Sequence, residues 1–160
     1  MIIMENPWLK LRPSENSYIL EIDREYIRQH NESVRDEKKK VIERSIPEPF
    51  IGNLESARVV LLGLNPGHSD DDAKNHSDPE FQKAMFQNLR HELQEYPFYP
   101  LNPASKFKES GAGRWWRART RELREKSGLD DRTLAERLMV IEWFPYHSTK
   151  FKLPKHICES

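Results

Sequence analysis

The hydrophobic pattern of the chain predicts two strong β-strands. Residues 57–63 are a mostly apolar, partly β-branched run that a Gly/Pro cluster ends abruptly. Residues 138–144 form a second apolar run, which Pro145 stops. Both runs have the length and composition of buried strands, and residues 18–22 fit a further short strand.

A polar segment between the first short strand and the first apolar run has a helical pattern. Ile27, Val34 and Val41 recur at every seventh residue, with charged residues on all other sides. This narrow apolar stripe predicts one surface helix over residues 23–44. The prolines at 47 and 49 end that helix and begin an extended lead-in to the first strand.

Helices are also predicted between the two apolar runs. Asp78 followed by Pro79 is typical of a helix start, and the apolar face that follows recurs at every fourth position: Phe81, Met85, Leu89 and Leu93. Three prolines exclude a helix from residues 96–103, which we predict to be an aromatic loop. A second helix is predicted over residues 114–126, closed by Gly128. Asp130 or Asp131 is predicted to cap a short helix that ends at residue 136.

Strands separated by helical segments favour a parallel sheet with covering helices. We therefore predict an α/β fold, a three-layer α/β/α sandwich with a small, mostly parallel central sheet. The 160 residues leave room for one domain, residues 1–160. A charged fraction of 32% and a mean hydropathy of −0.87 predict a small core. Either long exposed helices surround a modest sheet, or the domain is incomplete at its carboxyl end.

The amino-acid composition indicates where the protein is located and which partners it lacks. Lys plus Arg and Asp plus Glu each number 26, so no overall field draws the protein towards DNA or a membrane. The single cysteine, Cys158, excludes a disulfide framework within the chain and suits a reducing cytosol. No apolar stretch approaches the length of a membrane span. We expect a cytoplasmic monomer without a membrane partner.

The turn after the first apolar run is the best candidate for an active site. Residues 63–67 are Gly-Leu-Asn-Pro-Gly, and open α/β sheets bind ligands at the carboxyl ends of their strands. The amide of Asn65, held rigid by Pro66, is therefore a candidate active-site group. In the alternative interpretation Asn65 only caps the turn, because Asn-Pro-Gly is also an ordinary turn sequence.

Three motifs follow one another along the chain: Gly-Leu-Asn-Pro-Gly at 63–67, Pro-Phe-Tyr at 97–99 and Gly-Arg-Trp-Trp at 113–116. In this order they resemble motifs of the uracil-DNA glycosylase superfamily, particularly its mismatch-specific branch, which removes thymine and uracil. That branch has Gly-Ile-Asn-Pro-Gly after its first core strand, then a Pro-Phe element in a loop, then a helix that starts with Asn-Arg-Phe-Trp. Residues 63–67, 97–99 and 113–116 look like these three features, with longer spacing between them. The resemblance covers roughly residues 47–148.

The resemblance implies hydrolytic removal of uracil or a related damaged base from DNA, without a cofactor or a metal ion. Asn65 would position the attacking water. Phe98 or Tyr99 would stack on the base once it is flipped out of the duplex, although burial against the neighbouring helix is an equal alternative for both rings. The remaining residues expected to bind the base are Gly63, Leu64, Pro66, Gly67 and His68.

A basic stretch is the candidate nucleic-acid surface. Residues 105–126 contain eight Lys or Arg and three Glu, with two tryptophans interleaved. The expected phosphate contacts are Arg114, Arg117, Arg121 and Arg124. In the alternative interpretation this is a solvated helix that acids elsewhere neutralise. The acids at 70–72 and the histidines near them do not have the spacing of a metal site.

The superfamily also has a second catalytic motif after a later strand, typically His/Asn-Pro-Ser. Residues 145–160 contain no such motif, and the His-Ser pair at 147–148 follows the second strand too early for that role. Two alternatives to a working glycosylase therefore stay open. One is a non-catalytic module of the same fold that binds nucleotides or nucleic acid, and the other is a truncated domain that lacks the second motif.

Overall fold

The computed structural model describes residues 5–12 and 16–152, and it combines helices with a small mixed sheet. In chain order the elements are α1 (Glu21–Ser33), β1 (Phe50–Ile51), β2 (Val59–Gly63), α2 (Asp70–Asn75), α3 (Pro79–Leu89), α4 (Ser105–Lys108), α5 (Gly111–Arg119), α6 (Arg121–Ser127), α7 (Asp131–Arg137) and β3 (Leu138–Glu142). Short 3-10 turns lie at Pro7–Lys10, Glu37–Lys39 and Tyr99–Leu101. Within these ranges, none of the helices has both the length and the apolar character that crossing a bilayer requires.

The sheet has the order β1-β3-β2, with β3 in the centre. β2 and β3 are parallel, from Val59 opposite Leu138 to Gly63 opposite Glu142. β1 pairs antiparallel with β3 over two residues, so the sheet is mixed, with the longer pairing parallel. The prediction of a strand over residues 18–22 is wrong, because α1 already begins at residue 21.

The main core lies between β3 and the helices that precede it. Leu138 and Val140 point to one side of the sheet and are buried against Leu89 of α3 and Leu134 of α7. The loop before α4 contributes to the same cluster through Phe98. Each such side chain contributes about 1.5–3 kcal/mol when it is fully buried.

β2 is a strand, as predicted, but it is not buried. Its four apolar side chains are exposed, from 36% for Leu61 to 84% for Leu62. β2 is an edge strand with β3 on one side, and among the described residues nothing covers Leu62 or the neighbouring Trp143, which is also exposed. The prediction of burial is wrong because an apolar run shows only that a segment can form a strand, and not that other elements cover both faces of that strand.

The helix predicted over residues 23–44 is too long, because α1 ends at Ser33. The side-chain amide of Asn31 bonds to both backbone groups of Val41: its oxygen accepts from the N–H at 2.8 Å and its nitrogen donates to the carbonyl at 3.1 Å. The returning chain is thus held against the helix. Ile27 and Val41, fourteen residues apart, meet in a buried cluster with Tyr146, so their spacing reflects a chain reversal and not a surface stripe.

The start of α3 is confirmed. The carboxylate of Asp78 accepts from the backbone N–H groups of Glu80 and Phe81 at 2.9 and 3.1 Å, as an N-cap does. The apolar face of α3 is buried as far as Leu89, where the helix ends. Leu93 lies beyond it and is exposed, so the last predicted member of that face is wrong.

The helix predicted over residues 114–126 is divided in two. α5 ends at Arg119, and α6 follows after Thr120, whose hydroxyl donates to the carbonyl of Trp116 at 2.8 Å. Gly128 closes α6 in the left-handed conformation with φ 64°, as predicted. Asp130 is confirmed as the cap of α7, since its side chain accepts from the backbone of the first turn.

Candidate active site at the carboxyl ends of the parallel strands

A cavity of about 460 Å³ lies where β2 and β3 end. The loops after the two strands form part of its wall, and α5 closes another side with Trp115 and Trp116. Glu48, from the segment that leads into β1, also lines it. This is the position at which open α/β sheets bind ligands, because the loops there diverge and leave a crevice.

A larger depression of about 620 Å³ lies beside α2 and α4, but four of its charged side chains form ion pairs with one another. Lys106 bonds to Asp78 at 3.0 Å, and Arg114 bonds to Asp71 at 2.6 Å. The smaller cavity contains the predicted Asn65 and the carboxyl groups described below, so it is the better candidate for chemistry.

Asn65 lines the cavity with its amide in a fixed orientation. The amide nitrogen donates to the Ser148 hydroxyl at 2.9 Å, to the Pro66 carbonyl at 3.0 Å and to the Tyr146 carbonyl at 3.3 Å. Carbonyl oxygens only accept, which settles which end of the amide faces them. The side-chain oxygen has no hydrogen-bond partner among the described residues, and it remains available as an acceptor for water or a ligand.

Gly63 and Glu142 are register partners at the ends of the two parallel strands. A Cβ atom at residue 63 would overlap the carboxyl group of Glu142, so no other residue fits this position without a shift of that group. Burial raises the pKa of Glu142 to about 7. Its Oε2 atom is buried, and no hydrogen-bond partner for it occurs in the part of the chain that the structure describes.

Glu48 is the second carboxyl group with a raised pKa. Burial, followed by the negative charges of Asp72 and Glu142, raises the pKa of Glu48 to about 8. The phenol of Tyr99 donates a hydrogen bond to its Oε1. At neutral pH the cavity therefore contains a largely protonated Glu48 beside a Glu142 that is close to half ionised.

Three histidine rings line the cavity close to one another. The rings of His68, His76 and His147 lie within 6.4 Å of one another, measured between ring centres. The ring nitrogens of His147 lie 2.8 Å from the carbonyl of Gly67 and 2.9 Å from that of Ile46. The ring thus ties the turn after β2 to the lead-in of β1.

The protonation of His147 is opposed by its surroundings. Two carbonyl partners would suit a ring with a proton on both nitrogens, whereas burial lowers the pKa of His147 to about 4. Burial also lowers the pKa of His76 well below its usual value, and the nearby rings of His147 and His68 add to this effect. At neutral pH the rings of His76 and His147 are neutral, and His147 donates to one carbonyl at a time. Within the described ranges, no three His, Cys, Asp or Glu side chains are grouped so as to hold a metal ion.

The aromatic residues expected to stack on a base are not in the cavity. Phe98 and Tyr99 are completely buried, and the ring of Phe98 packs edge-on against Trp116 at 5.0 Å. The structure thus places both rings where the burial alternative expects them. The cavity is lined instead by the buried ring of Phe81, by Trp115, which is half exposed, and by the less exposed Trp116; the two tryptophan rings are 4.6 Å apart and perpendicular.

The four predicted phosphate contacts have different surroundings. Arg117 and Arg124 both bond to Asp131, and the side chain of Arg117 is only 13% exposed. These two guanidinium groups join helices and do not face solvent as a phosphate surface would. Arg114 is exposed at the rim of the cavity, and Arg121 is exposed without an ion pair in the described part of the chain.

The other residues predicted to bind the base do not all line the cavity. Pro66, Gly67 and His68 line the cavity, and a ring nitrogen of His68 lies 3.3 Å from the hydroxyl of Ser45. Leu64 is exposed on the outer side of the sheet, where its carbonyl accepts from the backbone of Phe144. Its side chain is not part of the cavity wall.

Sequence patterns did not assign four residues of this site: Glu48, Glu142, His147 and Ser148. The sequence showed a His-Ser pair after β3, but no motif that would place it beside Asn65. Comparisons of the chain with protein-family models, curated proteins and solved structures find no match. The resemblance to uracil-DNA glycosylases therefore depends on the motif residues of this chain alone.

Proposed function

We propose that this protein removes uracil or a related damaged base from DNA by hydrolysis of the N-glycosidic bond. The observation that carries the proposal is the fixed amide of Asn65, whose nitrogen is bonded to three acceptors and whose oxygen is unpaired among the described residues. A water bonded to that oxygen would lie in a cavity at the ends of two parallel strands.

The chemistry suits the groups that are present. An amide is a weak base, so Asn65 acts by placing the water near the sugar carbon. Trp115 and Trp116 offer aromatic faces or edges to a base taken out of the stack. Arg114 at the rim supplies a positive charge for a phosphate, once its exposed pairing with Asp71 is exchanged.

The proposal includes the three-layer α/β/α arrangement of the superfamily and a cytoplasmic, monomeric protein that acts on DNA. Its support is the parallel β2–β3 pair with helices in the connection between the strands, together with the lone cysteine. No cofactor enters the reaction.

The test is release of base from a uracil-containing single strand and from a G·U duplex. The wild type should release uracil, and Asn65→Ala should lower the rate on the order of 100-fold, as the loss of one positioned polar group does. Asn53→Ala is the matched control, because Asn53 stabilises a turn away from the cavity and its loss should not change the rate.

The proposal is abandoned if the wild type releases no base from either substrate. Salt-sensitive binding of the same oligonucleotides without release would instead favour the non-catalytic binding module.

A further inference from the structure

The carboxyl group of Glu142 faces the cavity and forms no hydrogen bond or ion pair within the described part of the chain. Its Oε2 atom is buried and unpaired there. Buried polar atoms nearly always have a partner, so an unpaired carboxyl oxygen in a cavity indicates a site for water, a ligand or a proton. Its position at the end of β3, against Gly63, brings it to the same wall that holds Asn65.

The other two carboxyl groups of the cavity already have partners. Glu48 accepts from the phenol of Tyr99. Asp72 accepts from the backbone N–H of Ser69 at 2.6 Å and from its hydroxyl at 2.7 Å, in the capping box of α2. Glu142 is therefore the cavity carboxyl that can exchange a proton without breaking a hydrogen bond of the fold.

We propose that Glu142 is a further catalytic residue, which accepts the proton of the water that Asn65 positions. This inference rests on the proposed function. The water oxygen forms a bond to the sugar carbon while one of its O–H bonds breaks and the proton passes to Glu142. The N-glycosidic bond breaks with its electron pair moving to the base, which then takes a proton from solvent, and Glu142 returns its own proton to solvent.

The charged groups around the cavity set the pH range of this step. The titratable or charged groups that line it with Glu142 are Glu48, His68, Asp72, His76, Arg114 and His147. Burial raises the pKa of Glu142 to about 7, which is suitable for a group that must be ionised to accept a proton and must then lose it again. Because no ion pair to Glu142 occurs among the described residues, its ionisation is not locked by a fixed cation.

The test is the pH dependence of base release under single-turnover conditions for the wild type, Glu142→Gln and Glu142→Asp. The wild-type rate should increase as the pH rises through about 7 and then level off. Glu142→Gln should lower the rate about 100-fold or more and remove this increase. Glu142→Asp should restore part of the rate together with a pH-dependent rise. Glu55→Gln, at an exposed position between β1 and β2, is the matched control and should behave as the wild type.

Folding and catalysis are separated by thermal unfolding of each variant. Glu142→Gln removes a buried charge, so its melting temperature should be equal to or above that of the wild type. An active wild type and a Glu142→Gln variant with the same pH profile would overturn the role of Glu142 and leave the proposed function standing. A wild type that releases no base would overturn both.

Discussion

The amide nitrogen of Asn65 donates a 2.9 Å hydrogen bond to the hydroxyl of Ser148, which lies 83 residues further along the chain. Ser148 in turn donates to the carbonyl of Lys150 at 3.1 Å. The bond joins the loops that follow the two parallel strands. The orientation of the proposed water-positioning group therefore depends on a residue that no motif indicates.

Replacement of Ser148 by alanine tests this dependence. The two carbonyl acceptors of the amide remain, so we expect a rate of base release about 10-fold lower and a loss of about 1 kcal/mol in the free energy of unfolding. Single-turnover rates and urea denaturation measure the two effects. Ser105→Ala, at an exposed position of α4, is the control. An unchanged rate in Ser148→Ala would show that the two carbonyls suffice to hold Asn65.

Glu48 makes the stability of the protein depend on pH. Its folded-state pKa, about 8, lies above the ordinary value of 4.5, so its stabilising contribution is complete below pH 4.5 and is lost as the pH rises towards 8. His147 acts in the acid range, because its pKa is lowered to about 4: its contribution is complete above 6.5 and is lost as the pH falls towards 4. Between pH 7 and 8 the effect of Glu48 can be measured with little contribution from His147.

Glu48→Gln keeps an acceptor for the phenol of Tyr99 and removes the ionisation. In urea denaturation we expect the wild type to lose stability relative to Glu48→Gln as the pH rises from 7 to 8, by at most about 1.4 kcal/mol per pH unit. Glu55→Gln should follow the wild type. Parallel curves for the wild type and Glu48→Gln would mean that Glu48 is already ionised at pH 7.

We expect some arginines of the basic stretch to stabilise the fold and others to contribute only an exposed charge. Arg117→Ala leaves Asp131 with Arg124 as its cation and frees the carbonyl of Leu101, so we expect a loss of about 2–3 kcal/mol in the free energy of unfolding. Arg121→Ala removes an exposed charge and should change stability by less than about 0.5 kcal/mol.

Binding of a uracil-containing single strand at several salt concentrations gives the second measurement. Arg121→Ala should reduce the slope of log affinity against log salt by about 1 if Arg121 contacts a phosphate. Arg117→Ala should leave the slope unchanged at a temperature where it is folded. A reduced slope in Arg117→Ala, without a loss of stability, would contradict the structural role of Arg117.

The parts of the fold that depend on local chemistry could be predicted from the sequence. The cap at Asp78 and the left-handed Gly128 follow from the preferences of those residues, and both are confirmed. The end of α1 could not be predicted, because it depends on the bonds between Asn31 and Val41, which form only when the chain turns back.

In the candidate site, too, local sequence predicts one residue, and long-range contacts determine the others. Asn65 stands out in the sequence because a Gly/Pro cluster interrupts an apolar run. Glu142 looks like an ordinary polar residue at the end of a strand, and its role depends on the register that sets it against Gly63. Glu48 lies in a proline-rich lead-in, and only the pairing of β1 with β3 brings that segment to the cavity.

The outer face of β2 gives the last prediction. Leu62 is 84% exposed and lies beside Trp143, which is also exposed, whereas Leu138 on the central strand is fully buried. Leu62→Ala should therefore change the free energy of unfolding by no more than about 1 kcal/mol, through strand propensity alone, while Leu138→Ala should cost about 2–5 kcal/mol. Urea denaturation of the two variants makes the comparison. If Leu62→Ala costs as much as Leu138→Ala, the outer face of β2 is covered in solution, and the sheet has a neighbour beyond the described residues.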